Sequence, residues 1–336
     1  PRGSFGILFK LHHAAVDGAS ALEAIHALHS EDPQAPAPRA REDVGTPKPG
    51  AVKTFGRACV NRLRSPARWL QAVRDIVPIP GRLRQGFREQ RLHAVKERHS
   101  TRFNAAISPH RVVDARYFEL AEVKAIRAAV ENATVNDVLV TVVAGAMRKY
   151  LEHKGETPDF SPMAMIPVSY RNDEERDAGG NLVTAMSMAI HSEIEDPLQR
   201  LQEVHRESLS SKGYTEAIGP RTSLDLAQVI PPQIAALAML RTGTQIMFSS
   251  GISAPVNTVI TNVAATPKPL YLCGAELVSA AGFGPIMDSM GLFHAIMSCN
   301  GKISIAINAC REMLPDPGFY ADCIQASYED LRDAAL

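Results

Sequence analysis

Phe5, Ile7, Phe9 and Leu11 recur at every second position, and His13 falls next in the same register. That period belongs to a strand, whose successive side chains point to opposite faces. The alternation predicts a strand over residues 4–13, with His13 facing inward and His12 facing the other way. A strand this apolar demands a neighbour along each edge and a covering layer, and little in the rest of the chain is spare to supply them. Residues 112–120, 163–168, 181–194, 257–263, 270–280, 292–300 and 302–310 read as strands. Residues 19–29, 122–132, 134–153, 196–211 and 320–331 carry helical periodicity, as does residues 223–240 around Pro231 and Pro232. Strands and helices interleave, so the fold class is α/β with a mixed sheet.

Composition removes several alternatives. With 336 residues, 45% hydrophobic and 21% charged, the chain can bury a large core and suits two linked domains. Lys plus Arg is 36 and Asp plus Glu is 36, a balance that argues against a nucleic-acid partner. The five cysteines are scattered, without Cys-x-x-Cys spacing. That argues against a disulfide framework and a structural zinc site, and it fits a reducing cytoplasm. No apolar run approaches the length of a membrane span without a charge or proline break.

The charge balance is uneven along the chain. Residues 39–102 hold sixteen basic and five acidic side chains. Pro33, Pro36, Pro38, Pro47 and Pro49 mark residues 31–50 as a linker. From 51 to 90 the pattern is helical, and Arg62, Arg64, Arg68, Arg74, Arg82, Arg84 and Arg88 alternate with Leu63, Trp69, Leu70, Ile76, Val77, Leu83 and Phe87. Two readings fit equally: a solvated helix pair, or an amphipathic segment lying on an anionic membrane or lipid-droplet surface.

The chemistry concentrates in Lys10-Leu-His-His-Ala-Ala-Val-Asp-Gly-Ala-Ser20, which contains His-His-x-x-x-Asp-Gly. An imidazole at a strand end, facing a protected space, is suited to take a proton from a hydroxyl or thiol near neutral pH. A core histidine bonded to a carbonyl is the bland alternative for His13, and Asp17-Gly18 behind it weighs against that. Asp17 and Gly18 reverse the chain and start the next helix, so the Asp17 carboxylate is expected to fix the turn that holds His13. Farther on, Thr134-x-x-Asp137 before an apolar run is a helix-capping pattern.

The His-His-x-x-x-Asp-Gly segment resembles the active-site motif of the bacterial wax ester synthase/acyl-CoA:diacylglycerol acyltransferase family, within the chloramphenicol acetyltransferase-like superfamily. Thr134-Val-Asn-Asp-Val138 resembles the family's Asn-Asp segment, and Pro167-Val-Ser-Tyr-Arg171 its Pro-Leu/Val-Ser-x-Arg segment. Gly180-Asn-Leu-Val-Thr184, Asp196-Pro-Leu-Gln-Arg200, Pro269-Leu-Tyr-Leu-Cys-Gly-Ala275 and Pro285-Ile-Met-Asp-Ser-Met-Gly-Leu292 follow in the family's order. Thr261-Asn-Val-Ala-Ala-Thr-Pro267 departs from the family's Ser-Asn-Val-Pro-Gly-Pro, which alters that turn. The family also places well over a hundred residues before the His-His motif, where this sequence has eleven.

The resemblance implies a chloramphenicol acetyltransferase-like two-domain fold with mixed sheets and the active site between the halves. Residues 1–30 would end an N-terminal domain, 31–102 would form the linker and basic segment, and 103–336 a C-terminal domain. His13 would be the general base, with His12, Asp17 and Gly18 completing the catalytic motif. Asn136, Asp137, Ser169 and Arg171 are the substrate-binding candidates, and Arg171 could pair with Asp17. Acyl-CoA would be a substrate, the acceptor a long-chain alcohol or diacylglycerol, and no cofactor or metal is expected. The expected partners are an anionic membrane or lipid-inclusion surface, reached from the cytoplasm, and the N-terminal half as a covalent or associated fragment. Two alternatives stand beside this: a condensation-type or polyketide-associated transferase using a carrier-bound acyl donor, and a non-catalytic lipid-surface protein.

Overall fold

In the computed structural model, Asn300 and Gly301 both adopt positive φ, 48° and 75°. Two such residues in succession form the tight turn whose twist matches that of paired strands. They join the strands Leu292–Cys299 and Lys302–Cys310 in a hairpin closed by the pair Cys299 and Lys302. The structure describes residues 3–12, 18–36, 50–63, 74, 77–89, 92, 99–169, 183–219, 256–264 and 268–336.

The elements are α1 (Gly18–Leu28), α2 (Ala51–Leu63), α3 (Ile79–Arg88), β1 (Arg111–Glu119), α4 (Leu120–Arg127), α5 (Val135–His153), β2 (Met163–Ser169), β3 (Val183–Ala189), α6 (Pro197–Ile218), β4 (Thr258–Ala264), β5 (Tyr271–Leu272), β6 (Ala275–Glu276), β7 (Leu292–Cys299), β8 (Lys302–Cys310) and α7 (Pro317–Ala335). Six strands form one sheet in the order β1-β8-β7-β4-β2-β3. The three central strands β7, β4 and β2 run parallel, while β8, β1 and β3 pair antiparallel to their neighbours. The expected mixed sheet is present.

Helices α5, α6 and α7 pack on one face of this sheet. Strand alternation sorts β7 cleanly: Leu292 and Ile296 enter the large core under the helices, while Phe293 and Ala295 join a smaller cluster on the opposite face. Gly284 lies directly over the Phe293 ring, where any side chain would overlap it. Helix α5 is buried on almost every side, from Val138 to Met147, because sheet and helices enclose it.

The ends of α5 explain its limits. Thr134 and Asp137 form the expected capping box, each side chain accepting the other's backbone N–H. At the far end Glu156 N–H donates to Leu151 O at 2.8 Å and Gly155 N–H to Glu152 O at 2.9 Å, with Gly155 at φ 72°. This is the left-handed cap that glycine favours.

Two expected strands are corrected. Residues 4–12 form no strand, and Phe5, Ile7, Leu8, Phe9 and Leu11 are all exposed. Period-2 apolarity specifies faces, but a strand exists only where a ladder partner accepts its backbone groups, and none pairs with this segment among the described residues. The expected strand over residues 270–280 is reduced to the two-residue pieces β5 and β6, because Cys273 and Gly274 turn the chain with φ 50° and 82°. The expected helix over residues 122–132 ends at Arg127, short of Asn132 at φ 59°. The helical reading of residues 223–240 lies outside the described residues.

Candidate active site

The motif-bearing segment is tied to the sheet through the chain that follows it. Gly18 opens α1, whose far end is fixed where Ser30 and Tyr271 exchange two backbone hydrogen bonds of 2.8 Å. Glu31 also pairs with Lys268 at 2.7 Å. Both partners, Lys268 and Tyr271, belong to the stretch immediately after β4. The chain just after α1 is thereby tied to the segment that follows β4, a central parallel strand. In open α/β sheets the carboxyl edge of the parallel strands, where neighbouring crossovers diverge, is the place where ligands bind. His12 is exposed, whereas His13 and Asp17 lie outside the described residues.

The same edge gathers two asparagines. Asn136 is the second residue of α5, and Asn262 lies near the carboxyl end of β4. Asn262 Nδ2 donates to Asn136 Oδ1 at 3.3 Å. Ser169 ends β2, parallel to β4, at this same edge and pairs with Val183 of β3. Arg171, with the proposed Arg171–Asp17 pair, lies outside the described residues. The structure therefore brings Asn136 together with the sheet edge.

Asp137, next to Asn136, is turned inward and is 1% exposed. Its Oδ2 accepts from Thr134 N–H at 2.8 Å and from His205 Nδ1 at 2.9 Å. Its carboxylate thus serves the helix end and α6. Asn262 and His205 were not among the expected site residues. Asn262 stands inside the departed Thr261-Asn-Val segment, which was a usable signal. His205 lies 68 residues from Asp137 in sequence, and no local pattern links the two.

Electrostatics elsewhere argue against a second location for an acyl chain. A cavity of about 790 Å³ lies between α5, α7 and the start of α6, lined by Arg148, Lys149, Glu152, Glu195, Arg200 and Asp330 among others. Arg148 pairs with Glu152 and Lys149 with Asp330, each at 2.7 Å. Burial, then neighbouring Arg148, pushes the Arg200 guanidinium down to about 10, and its Nε and Nη2 donate to Ile194 O. A hydrocarbon chain gains little from a lining of ions. Arg148 is also eleven residues along α5 from Asp137, about 16 Å at helical rise. The cavity is an ionic seam in the helix layer.

Comparisons with known proteins agree with this geometry. The wax ester synthase/diacylglycerol acyltransferase catalytic domain matches residues 1–139, and the WS/DGAT C-terminal domain matches residues 179–332. A Mycobacterium tuberculosis protein (strain CDC 1551 / Oshkosh) named as a probable diacylglycerol O-acyltransferase is 29% identical over 99% of this chain and 71% of its own length. Another protein of that strain, provisionally named a diacylglycerol O-acyltransferase, is 28% identical over 98% of this chain. The chain spans 64% of that relative's length. The wax ester synthase/diacylglycerol acyltransferase of Marinobacter aquaeolei VT8 shares the fold, with a TM-score of 0.63 at 21% identity over 97% of this chain and 68% of that one. Two domain matches in order, around a sheet edge that carries the Asn-Asp segment, make this chain a member of the wax ester synthase/diacylglycerol acyltransferase family.

Proposed function

We propose that the protein is an O-acyltransferase that moves a fatty acyl group from acyl-CoA to a long-chain alcohol or diacylglycerol. The observation that carries this reading is the His12-His13-x-x-x-Asp17-Gly18 motif in a chain of this family, with Gly18 opening a helix after which Ser30 and Glu31 are tied to the segment that follows β4. His13 takes the proton from the acceptor hydroxyl. The alkoxide oxygen attacks the thioester carbonyl, and the carbon–sulfur bond of the tetrahedral intermediate then breaks. Coenzyme A leaves with the proton that His13 returns. Asp17 fixes the turn that holds the imidazole, and Asn136 offers its amide N–H to the substrate. A donor positioned where negative charge develops is worth most in a dry site.

Two partners belong to the same proposal. The exposed Phe5, Ile7, Leu8, Phe9 and Leu11 favour a covering layer, for which the N-terminal half implied by the resemblance is the natural source. The exposed Val52, Phe55 and Val60 on α2, with the exposed arginines of α3, favour contact with an anionic lipid surface. No helix among the described residues is long and apolar enough to cross a membrane. The deciding experiment incubates the chain, together with the N-terminal half that covers it, with a long-chain acyl-CoA and either hexadecanol or diacylglycerol, and follows ester and free thiol together. Ester without matching thiol release, or neither, sinks the reading. Transfer from a carrier-protein thioester in preference to acyl-CoA supports the condensation-type alternative.

A further inference from the structure

We propose that His205 is a positioning residue for acyl transfer, acting through Asp137 on Asn136; this rests on the acyltransferase reading above. His205 lies on α6 beside the buried Leu201, Val204 and Ser208, with only 13% of its side chain exposed. An ionised carboxylate only accepts hydrogen bonds, so the 2.9 Å contact with Asp137 Oδ2 places a proton on His205 Nδ1. Asp137 is buried and its Oδ1 has no hydrogen-bond partner. Its orientation is therefore set at Oδ2, by Thr134 N–H from its own helix and by His205 from the neighbouring one. The first donor closes the capping box. The second fixes that box relative to α6.

Asn136 sits within the turn so clamped. Its Oδ1 accepts from Asn262 on β4, which leaves its NH2 group to donate elsewhere. His205 and Asn262 thus hold the first turn of α5 from two sides, α6 and the central sheet. Helices α5 and α6 run antiparallel, since Asp137 meets His205 while Ala144 and Arg148, farther along α5, meet Ser192 and Glu193 ahead of α6. Loss of the His205 bond releases α5 at its functional end while the seam at the other end stays closed. A shift of about 1 Å in a substrate-positioning group can cost up to about 100-fold in rate.

The test compares wild type, His205→Leu, His205→Gln, Asn136→Ala and the His205→Leu/Asn136→Ala double variant, measuring kcat and KM with acyl-CoA and hexadecanol. His205→Leu is expected to lower kcat about 10-fold with KM for acyl-CoA little changed. His205→Gln, whose amide can still donate to Asp137, restores most of it. The double variant is expected to be no slower than Asn136→Ala alone, because both changes act through one group. Losses that multiply, or a loss that Gln does not relieve, overturn the proposal. A wild-type chain that transfers no acyl group overturns the acyltransferase reading instead. The clamp itself is then judged by hydrogen exchange at the Asp137 and Val138 amides, which His205→Leu speeds and His205→Gln does not. Equal exchange in all three proteins overturns the clamp.

Discussion

His294 on β7 and Tyr320 on α7 meet at 2.9 Å in the centre of the core, joining Nε2 to the phenol oxygen. On its other side His294 Nδ1 lies 2.9 Å from Thr258 Oγ1, whose own hydroxyl donates to Leu292 O. A neutral ring fits this chain of bonds, with Tyr320 O–H donating to Nε2 and Nδ1–H donating to Thr258. Burial lowers the imidazole to about 3 and raises the Tyr320 phenol well above its ordinary value.

This arrangement predicts a pH-dependent stability. The folded pKa, about 3, lies below the unfolded value near 6.5, so the unfolded chain binds the extra proton between those limits. The stabilisation from keeping the ring neutral is complete above about pH 6.5 and is lost as pH falls toward 3. At pH 5 the cost is about 2 kcal/mol, from about 1.4 kcal/mol per unit. Urea unfolding at pH 7.5 and pH 5, for wild type and His294→Asn, measures it. The variant should lack about this much of the wild-type decline; identical declines would remove His294 as the source.

Gly145 provides the second prediction. A Cβ at this position would overlap Ser327 Oγ and lie 2.5 Å from Arg200 Nη1. Alanine is the better helix former by about 1 kcal/mol. Overpacking of a tight core costs about 1–3 kcal/mol, and here the obstructing atoms are buried. Gly145→Ala should therefore lower the melting temperature despite its helix propensity. A higher melting temperature would mean that Arg200 moves aside freely.

How far the sequence discloses this protein can be judged residue by residue. The Thr134–Asp137 cap was legible because both partners lie within one turn. Strands β7 and β8 were legible because both of their faces are filled by neighbours, which leaves short, nearly continuous apolar runs. Phe5 to Leu11 misled, since a pattern fixes which side chains share a face and says nothing about whether a partner strand is at hand. The collapse of residues 270–280 into a hairpin turned on Cys273, a residue with no strong preference for the left-handed φ it adopts. His205 and Asn262 were illegible for a different reason. Each acts on a residue more than a hundred, or 68, positions away, and only the packing of α5 against α6 and β4 brings them together.

The proposed base makes a third prediction, resting on the motif and on the exposure of His12. His13→Ala should abolish acyl transfer by about 10²- to 10⁴-fold while leaving the fold intact. His12→Ala should retain measurable activity, as its side chain is exposed. Ester formation by both variants, with circular dichroism to confirm folding, decides between them. Equal losses in two folded variants would show that the two histidines do not have separate roles.

The lipid-surface proposal separates into an apolar and an electrostatic part. Val52 and Phe55 of α2 are 87% and 73% exposed, one turn apart on the same helix face. In α3, Arg82, Arg84 and Arg88 are exposed, while Phe87 keeps an edge-on contact with Tyr214 at 5.8 Å between ring centroids. Exposed valine and phenylalanine side chains lose contact with water when they enter the acyl boundary of a bilayer, and that gain is insensitive to salt. Each arginine near an anionic surface adds about 1 kcal/mol, and screening removes that gain as ionic strength rises. Flotation with phosphatidylserine-containing vesicles should therefore succeed at low salt and fall steeply at high salt. Replacing Arg82, Arg84 and Arg88 together by Gln should weaken binding about 100-fold at low salt and much less at high salt. Val52→Asp/Phe55→Asp should weaken it at both. Binding that ignores lipid charge and salt would leave α3 a solvated helix, and an α2 variant that floats like wild type would remove the apolar anchor.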